Sequence, residues 1–413
     1  MPRGSPGGLP AAVGGPSYPD GVRLLHTSDW HLGRSFHEVR LLDAQARFLD
    51  HVVDVVRSER VDAVLVSGDV YDRALPGPEI VELLSTGVTR LVDAGAQVIL
   101  SSGNHDSAIR LGFAADLLAR AGLHIRTSVT EIDRPVLVGD AAVFAVPYLE
   151  PSVVAPALGT EDVTHTGVLT AAMDRVRAAA SAHPGPTIVM AHAFVAGAAT
   201  CGSERDITVG GAASVSPRVF DGIGYAALGH LHGAQRLTES VRYSGSPLAM
   251  SFSEAGHTKG SWLVDIDAHG RRNVELVEAP VPRPLAVLRG QLAGLLADPA
   301  LAWAETAWCQ VTLTDAARPL GAMDRLRRRF PGTLELAFDP PPVLGERRTY
   351  AARVASTATA LDVCCDFLAH VRGGTPATDE ERALFAEAVE GGRLASGATA
   401  DEGRARHPVR GVA

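Results

Sequence analysis

One arrangement recurs along the chain and restricts how it can fold: an apolar segment that ends directly in polar residues. The apolar run Ala63-Val64-Leu65-Val66 leads into Ser67-Gly68-Asp69, where glycine permits a sharp turn before the acid. Four other apolar segments end in the same way. In open α/β sheets, ligands bind at the carboxyl ends of the strands. We therefore predict that the five strand ends form one composite site.

The polar residues at these strand ends are of types that bind metal ions. They are Asp29, His31, Asp69, Asn104, His192, His230 and His232. In an extended segment, side chains two residues apart point to the same side, so the D-x-H and H-x-H pairs can each converge on one ion. Carboxylate, amide and imidazole ligands suit Mn²⁺, Fe²⁺ or Zn²⁺. Seven ligands are too many for one tetrahedral ion and fit two ions, about 3.5–4 Å apart, that share a carboxylate.

The alternative for any single histidine is a surface residue with an ordinary hydrogen bond. We interpret the histidines outside the set in this way, and we expect His26 to support the turn before Asp29. His105 follows Asn104 and should point away from the metal, toward the substrate. An imidazole followed by a carboxylate, here that of Asp106, can donate a proton to a leaving oxygen. A purely structural turn residue is the open alternative for Asp106.

The order of the predicted elements indicates an α/β fold. Helical periodicity over residues 42–57 and 79–93 separates the first three strands, which implies parallel strands with helices between them. Short strands and a helix over residues 166–182 follow, and then the strands that deliver His192 and His230. We expect two sheets packed together in an αββα sandwich.

Proline-rich segments divide the rest of the chain. Pro280, Pro282 and Pro284 mark a linker, after which strand and helix patterns alternate in a smaller α+β domain. Two helices follow, and the second begins with a capping box of Thr378 and Glu381. The expected parts are a disordered leader (1–21), the sandwich (22–280), the small domain (284–345), the helix pair (357–393) and a disordered tail (396–413).

The composition excludes several classes of protein. A net charge of −9 argues against bulk electrostatic coating of nucleic acid, although it leaves room for a local basic site. No apolar run reaches the ~20 residues of a membrane span and the leader lacks a secretory signal, so the cytoplasm is the expected compartment. The 4 cysteines show no C-x-x-C spacing and indicate neither disulfides nor a zinc site. Of the 38 basic residues, only Lys259 is lysine.

Five short motifs occur in a defined order along the chain: Asp29-x-His31, Gly68-Asp69-x-x-Asp72, Gly103-Asn104-His105-Asp106, His192 and Gly229-His230-x-His232. This set resembles the signature of the calcineurin-like metallophosphoesterases. Longer stretches carry a narrower resemblance: Thr27-Ser28-Asp29-Trp30-His31-Leu32-Gly33, Ala226-Ala227-Leu228-Gly229-His230-Leu231-His232, and Tyr243-Ser244-Gly245-Ser246-Pro247-Leu248 followed by Ser251-Phe252-Ser253-Glu254. With them, the chain resembles the SbcD family, the nuclease subunits of bacterial SbcCD complexes.

The resemblance implies two divalent ions, with Mn²⁺ as the expected metal, and assigns the ligands to them. The ligands of one ion are Asp29, His31, Asp69 and His232. The ligands of the other are Asp69, Asn104, His192 and His230. Asp69 is therefore expected to bridge the two ions. His105 is expected to assist scission, oriented by Asp106.

The resemblance also implies an activity and partners. The activity is exonuclease cleavage of double-stranded DNA ends and endonuclease cleavage of hairpin or single-stranded DNA, in DNA repair, recombination and replication. The partner is an SbcC-type, SMC-like coiled-coil ATPase, and the assembly is a homodimer within a heterotetramer associated with the nucleoid. The 284–345 domain would cap the nuclease site, the helix pair would dock on the ATPase, and the helix over 79–93 would form the dimer. Packing within the chain is the alternative for both helical segments.

Two groups of arginines are candidates for contacts with DNA phosphates: Arg34, Arg73 and Arg110 after the ligand motifs, and Arg325, Arg327, Arg328 and Arg329 in the small domain. Solvated arginines in an arginine-rich chain are the alternative. Two other functions also stay open. One is a stand-alone phosphoesterase that acts on nucleotides or phosphoproteins, and the other is a catalytically silent scaffold for DNA ends. The extra domains disfavour the first, and the complete ligand set disfavours the second.

Overall fold

The computed structural model describes residues 21–204, 214–341, 359–372 and 374–402. The chain forms two compact units, with the boundary between Ala286 and Val287. The predicted leader up to residue 20 and the predicted tail beyond residue 402 lie outside the described residues. Among the described helices, none is both long and apolar enough to cross a membrane.

The first unit consists of two sheets with helices around them. Its strands are β1 (Gly21–Thr27), β2 (Ser35–Phe36), β3 (Val39–Arg40), β4 (Ala63–Ser67), β5 (Gln97–Ser101), β6 (Leu123–Arg126), β7 (Val136–Val138), β8 (Ala141–Val146), β9 (Thr187–His192), β10 (Tyr225–Gly229), β11 (Gln235–Arg236), β12 (Val241–Tyr243), β13 (Gly260–Asp267) and β14 (Arg272–Glu278). Its helices are α1 (Leu42–Glu59), α2 (Pro78–Asp93), α3 (Ala108–Leu111), α4 (Ala115–Ala119), α5 (Pro151–Leu158) and α6 (His165–Ala180).

The strand order brings the predicted ligands to one edge of each sheet. One sheet has the order β14-β13-β1-β4-β5-β6, and the other has the order β11-β12-β10-β9-β8-β7. Strands β1, β4, β5 and β6 are mutually parallel, as are β8, β9, β10 and β12. Because parallel strands all end at the same edge, the turns after β1, β4 and β5 are neighbours. The turns after β9 and β10 are neighbours as well, with Gly229 opposite His192.

Three apolar clusters hold the layers together. The inner faces of the two sheets meet through buried side chains such as Leu24, Leu65, Ile99, Val143 and Met190. The outer face of the first sheet packs on α1 and α2, and the outer face of the second sheet packs on α5 and α6. This is the αββα sandwich that the sequence predicts.

Helix α2 contributes its apolar stripe to the core. Leu84, Val88 and Leu91 are buried, and Ile80 and Leu83 pack against the same cluster. Val81, by contrast, remains 45% exposed. Burial in the core therefore accounts for most of the pattern that also suggested a dimer surface.

The second unit has its own small sheet. Its elements are β15 (Leu285–Gly290), α7 (Leu292–Ala297), β16 (Trp308–Leu313), α8 (Ala322–Arg329), β17 (Thr333–Phe338), α9 (Ala360–Val371) and α10 (Asp379–Glu402). The sheet order is β15-β16-β17, and Leu313, Leu326 and Phe330 form part of the buried core. This is the α+β domain expected from the alternating patterns.

Helices α9 and α10 form the expected pair, tied by ion pairs. Arg372 bonds Glu381 at 2.7 Å and 3.0 Å, and Arg382 bonds Asp362 at 3.0 Å. The predicted capping box is present, because the Thr378 N–H donates to the Glu381 carboxylate at 2.9 Å and the Glu381 N–H donates to Oγ1 of Thr378 at 3.3 Å. Helix α10 continues to residue 402, and its last residues lie within the segment 396–413 that the sequence marks as a tail.

Candidate metal centre

The predicted ligands lie in turns whose backbone conformation needs support. The φ angles are 51° at Asp29, 41° at His31, 49° at Asp69 and 108° at His230. A non-glycine residue in this region costs about 1–3 kcal/mol. Bonds between the turns maintain it: the Asp29 N–H donates to the Gly68 carbonyl at 3.1 Å, and the His31 N–H donates to the Asp69 carbonyl at 2.9 Å. The turns after β1 and β4 thus hold each other in place.

Two glycines let the ligand turns approach closely. Gly68 has a φ of +84°, and a Cβ atom there would lie 2.3 Å from Nδ1 of His192. A Cβ atom on Gly103 would lie 2.1 Å from Oδ1 of Asp69. Both distances are far below van der Waals contact, so each position requires glycine.

The ligand side chains converge around Asp69. Its Oδ2 atom lies 3.5 Å from Nε2 of His31 and 3.5 Å from Nε2 of His192. Nε2 of His31 in turn lies 3.2 Å from Nε2 of His232, and Nε2 of His192 lies 3.0 Å from Oδ1 of Asn104. Two groups of ligand atoms therefore share one carboxylate.

Asp29 and His230 complete the cluster. Oγ of Ser28 donates to Oδ2 of Asp29 at 2.5 Å, and the His230 N–H donates to both oxygens of that carboxylate at 3.1 Å. The His230 ring centroid lies 5.3 Å from that of His192. The carboxylate of Asp29 belongs to two groups of possible ligand atoms that lie within 4.8 Å of one another. One group is Asp29, His31 and His232, and the other is Asp29, Asp69 and His192. The structure therefore brings all seven predicted ligands together.

The hydrogen bonds of His192 show that its ligand nitrogen faces other acceptors. Nδ1 lies 2.9 Å from the carbonyl oxygen of Ser67, which can only accept, so the proton of the neutral ring is on Nδ1. Nε2 then presents a lone pair to Oδ1 of Asn104 at 3.0 Å and to the Asp69 carboxylate at 3.5 Å. Acceptors facing one another in a buried site repel unless a cation lies among them. The residues therefore fit a divalent cation.

The two carboxylates of the cluster act on each other. Burial and the charge of Asp69 raise the pKa of Asp29 well above its usual value. Burial also opposes the ionisation of Asp69, but His192, His31 and His105 outweigh it and lower the pKa of Asp69. The repulsion between these buried carboxylates is the kind that a bound divalent cation removes.

Burial also keeps the ligand histidines neutral, which is the form that binds metal. It is the largest cause that lowers the pKa values of His31, His192 and His232. It lowers the pKa of His230 to about 3, with help from His192. The imidazoles therefore offer lone pairs across the neutral pH range.

His105 lies beside the cluster but has a different ring partner from the one expected. Its Nδ1 lies 2.8 Å from the carbonyl oxygen of Asp72, and its ring centroid lies 4.7 Å from that of His31. The Asp106 carboxylate instead accepts the backbone N–H groups of Val70, Tyr71 and Gly103 at 2.9–3.0 Å. The described hydrogen bonds therefore make Asp106 a brace between the loops that carry Asp69 and Asn104, rather than the group that bonds the ring of His105.

Asp72 belongs to the site, although it was not among the predicted site residues. Its Oδ1 lies 3.5 Å from Nδ1 of His31 and accepts from Nη1 of Arg34 at 3.0 Å. Arg34 also bonds the Ser203 carbonyl at 3.2 Å, so this arginine joins two loops of the site. The side chain of Arg73 is 85% exposed, and Arg110 is also exposed. The signal for Asp72 is its spacing of three residues after Asp69.

Comparison with known families agrees with this geometry. The family model for the calcineurin-like phosphoesterases matches residues 22–233, about half of the chain and most of the sandwich. The chain belongs to the calcineurin-like phosphoesterases, and its family and ligand cluster define a metal-dependent hydrolase. A second model, the SbcD C-terminal domain, described as the Type 5 capsule protein repressor C-terminal domain, matches residues 281–372. The two matches together support the resemblance to an SbcD-type nuclease subunit.

Two solved structures show a distant likeness to this chain. The crystal structure of TT1561 of Thermus thermophilus is 13% identical, with a TM-score of 0.36, and the match covers 62% of this chain and 99% of that one. A second crystal structure is also 13% identical, with the same coverage and a TM-score of 0.35. Scores of this size carry no argument about function, and the family matches alone support the assignment.

Proposed function

We propose that this protein is the nuclease subunit of a DNA repair complex, with exonuclease activity on double-stranded ends and endonuclease activity on hairpin or single-stranded DNA. The observation that carries the proposal is the SbcD-type C-terminal match at residues 281–372, which follows the phosphoesterase match at residues 22–233. A stand-alone phosphoesterase of nucleotides or phosphoproteins has no need of this second domain.

The proposed metal centre holds two divalent cations, with Mn²⁺ as the expected ion. Asp69 is the shared ligand, a role supported by the equal 3.5 Å distances from its Oδ2 to His31 and His192. The first ion would take Asp29, His31 and His232 as its other ligands, and the second would take Asn104, His192 and His230. Bound cations would neutralise the scissile phosphate and lower the pKa of the attacking water.

His105 is the proposed general acid. The Asp72 carbonyl, 2.8 Å from Nδ1, fixes the ring and keeps a proton on that nitrogen. A second proton on Nε2 gives an imidazolium, which can protonate the leaving oxygen of a phosphodiester. Asp106 contributes indirectly, because its three backbone bonds maintain the loops on either side.

Surface residues supply the remaining parts of the proposal. Arg73 and Arg110 are exposed candidates for DNA phosphate contacts, with long contacts to Asp72 (3.8 Å) and to the Ala74 carbonyl (3.4 Å), respectively. Arg34 is more firmly held, because it bonds Asp72 at 3.0 Å and the Ser203 carbonyl at 3.2 Å. In α8, Arg329 bonds the carbonyls of Leu295 and Asp298, which leaves the exposed Arg325 and Arg328 as better candidates. The α9–α10 pair would dock on an SbcC-type ATPase, and a homodimer within a heterotetramer remains the proposed assembly.

The deciding experiment compares DNA with a small phosphodiester. The full chain, alone and co-purified with the ATPase, is incubated with end-labelled hairpin DNA, blunt duplex DNA and bis(p-nitrophenyl) phosphate in Mn²⁺ or Mg²⁺. We expect Mn²⁺-dependent opening of the hairpin and shortening of the duplex. Hydrolysis of the small ester without cleavage of either DNA, even with the ATPase present, would favour the stand-alone phosphoesterase.

Two variants test the roles within the site. Asp69→Asn removes the shared charge and His105→Leu removes the general acid, and each is expected to reduce Mn²⁺-dependent cleavage by about 100-fold or more. His51→Leu, which changes a half-buried histidine on α1, is the matched control and should retain activity. Undiminished cleavage by both site variants contradicts the mechanism.

A further inference from the structure

A buried ion pair next to His232 has no part in the function described so far. Glu254 is 1% exposed and Lys259 is 6% exposed, and they bond each other directly. Both lie between the regions that the two family models match, 22–233 and 281–372. Glu254 ends the Ser-Phe-Ser-Glu stretch singled out in the sequence, and Lys259 is the single lysine in a chain whose other basic residues are arginine.

The three N–H bonds of the Lys259 ammonium group are all used. Besides Glu254, Nζ donates to the backbone carbonyl of His232 at 2.8 Å and to Oγ of Ser246 at 3.0 Å. An ammonium carries three donors around one atom, whereas a guanidinium is planar and presents its donors as a fork. The three acceptors therefore suit lysine better than arginine, which explains the exception at this position.

The second carboxylate oxygen of Glu254 is linked to the ring of His232 by hydrogen bonds through Ser203. Oγ of Ser203 donates to Oε1 of Glu254 at 2.5 Å, because the carboxylate can only accept. Since its own proton is used in that bond, Ser203 accepts from Nδ1–H of His232 at 2.7 Å. Nε2 of His232 then presents its lone pair, and it lies 3.2 Å from Nε2 of His31.

The backbone of His232 is held as well. Its N–H donates to Oε1 of Glu204 at 2.8 Å, and its carbonyl accepts from Lys259. Ring, N–H and carbonyl are thus each bonded by side chains from other segments of the chain. Buried ion pairs are weak sources of stability because desolvation offsets their attraction. Stability alone therefore does not explain this ion pair, whereas the orientation of a metal ligand does.

We propose that Glu254 and Lys259 are positioning residues for the metal centre: through Ser203 and the His232 backbone, they fix the tautomer and direction of the His232 ring and so set the affinity of one of the two metal ions. This inference rests on the proposed metal centre, in which His232 is a ligand. Neither residue contacts the metal in this proposal. Loss of either therefore weakens binding of one ion without removing a ligand.

The test measures Mn²⁺ binding by isothermal titration calorimetry on metal-free full-length protein. Glu254→Gln keeps the shape of the side chain but turns an amide donor toward Ser203 or Lys259. Asp265→Asn is the matched control, because Asp265 is a buried carboxylate (7% exposed) that bonds Arg23 at 2.6 Å outside the cluster. Thermal unfolding of both metal-free variants shows whether they lose comparable stability.

We expect Glu254→Gln to weaken one of two Mn²⁺ sites by about 10–100-fold, while Asp265→Asn binds both ions like the wild type. With bis(p-nitrophenyl) phosphate as substrate, Glu254→Gln should need more Mn²⁺ for half-maximal rate but approach the wild-type kcat at saturation. Ser203→Ala, at a partly exposed position, should show the same weakening, and Ser203→Thr, which keeps the hydroxyl, should restore binding.

Two negative results have different meanings. Unchanged Mn²⁺ affinity in both Glu254→Gln and Ser203→Ala, beside a wild type that binds two ions, overturns the positioning role and leaves the proposed function intact. A wild type that binds no Mn²⁺ overturns the proposed metal centre itself.

Discussion

Neighbouring residues of the site have different roles: His105 is the proposed general acid, and Asp106 connects two loops. His105 and Asp106 are adjacent in sequence, yet the ring of His105 bonds the Asp72 carbonyl while Asp106 bonds three backbone N–H groups. Burial, followed by the charge of Asp69, raises the pKa of Asp106 to about 7. The structure thus favours a supporting function for Asp106.

Asp106→Ala is expected to lower the free energy of unfolding by about 3 kcal/mol, because it leaves three backbone N–H donors without their acceptor. His105→Leu should cost much less stability while abolishing cleavage. Urea denaturation of the two metal-free variants separates these roles. Equal stability of Asp106→Ala and wild type would show that the three bonds do not brace the loops.

Helix α2 and the α9–α10 pair both carry an apolar stripe, but the side chains of the two stripes differ in how far they are buried. In α2, Leu84 is 7% exposed and Leu91 is fully buried, so the stripe serves the core. In the α9–α10 pair, Phe367 is 54% exposed and Leu384 is 65% exposed. An exposed apolar surface on a helix pair is suited to a partner's helices. These exposed side chains give the proposed docking of α9–α10 a surface that can be tested.

Phe367→Glu and Leu384→Glu are therefore expected to abolish co-purification with the SbcC-type ATPase. Neither should affect Mn²⁺-dependent hydrolysis of bis(p-nitrophenyl) phosphate, which needs only the metal centre. Leu320→Glu, at a position 93% exposed in the same unit, is the control and should still co-purify. Retention of the ATPase by both variants would exclude this surface.

At the scale of the molecule, a buried histidine joins the two sheets. His26 on β1 accepts from the Tyr225 hydroxyl at 3.0 Å and donates to the Leu228 carbonyl at 3.1 Å, both on β10. Burial lowers the pKa of His26 to about 3. His26 was expected to support the turn before Asp29, and its two hydrogen bonds show that it also connects the two sheets.

This tie makes stability depend on pH. The unfolded chain takes up a proton on His26 near pH 6.5, whereas the folded state resists it down to about pH 3. The contribution is fully present above pH ~6.5 and is lost as the pH falls, by about 1.4 kcal/mol per pH unit for this residue.

His26→Gln keeps one donor and one acceptor at this position and removes the titrating group. We expect its free energy of unfolding, measured by urea denaturation of metal-free protein between pH 7 and 5, to fall less steeply by about one proton's slope. His269→Gln, at an exposed histidine, should leave the slope unchanged. An equal slope in His26→Gln and wild type would remove His26 from this role.

The sequence alone was sufficient for the sandwich, and the seven residues that it proposes as metal ligands lie together in the structure. Each of the seven, such as Asp69 or His192, ends a strand or lies within four residues of a strand's carboxyl end, and parallel strands bring such ends to one edge. The positions of these residues at strand ends could therefore be read from the local sequence.

Only the tertiary structure decided which residues support the ligands. Lys259 and Glu254 reach His232, and Tyr225 reaches His26, across long stretches of chain. Such bonds depend on how the sheets and loops pack, which no local pattern encodes. The same holds for apolar stripes, because periodicity indicates that one face is apolar, whereas packing determines how much of it is buried: Leu91 of α2 is fully buried, and Leu384 of α10 is exposed.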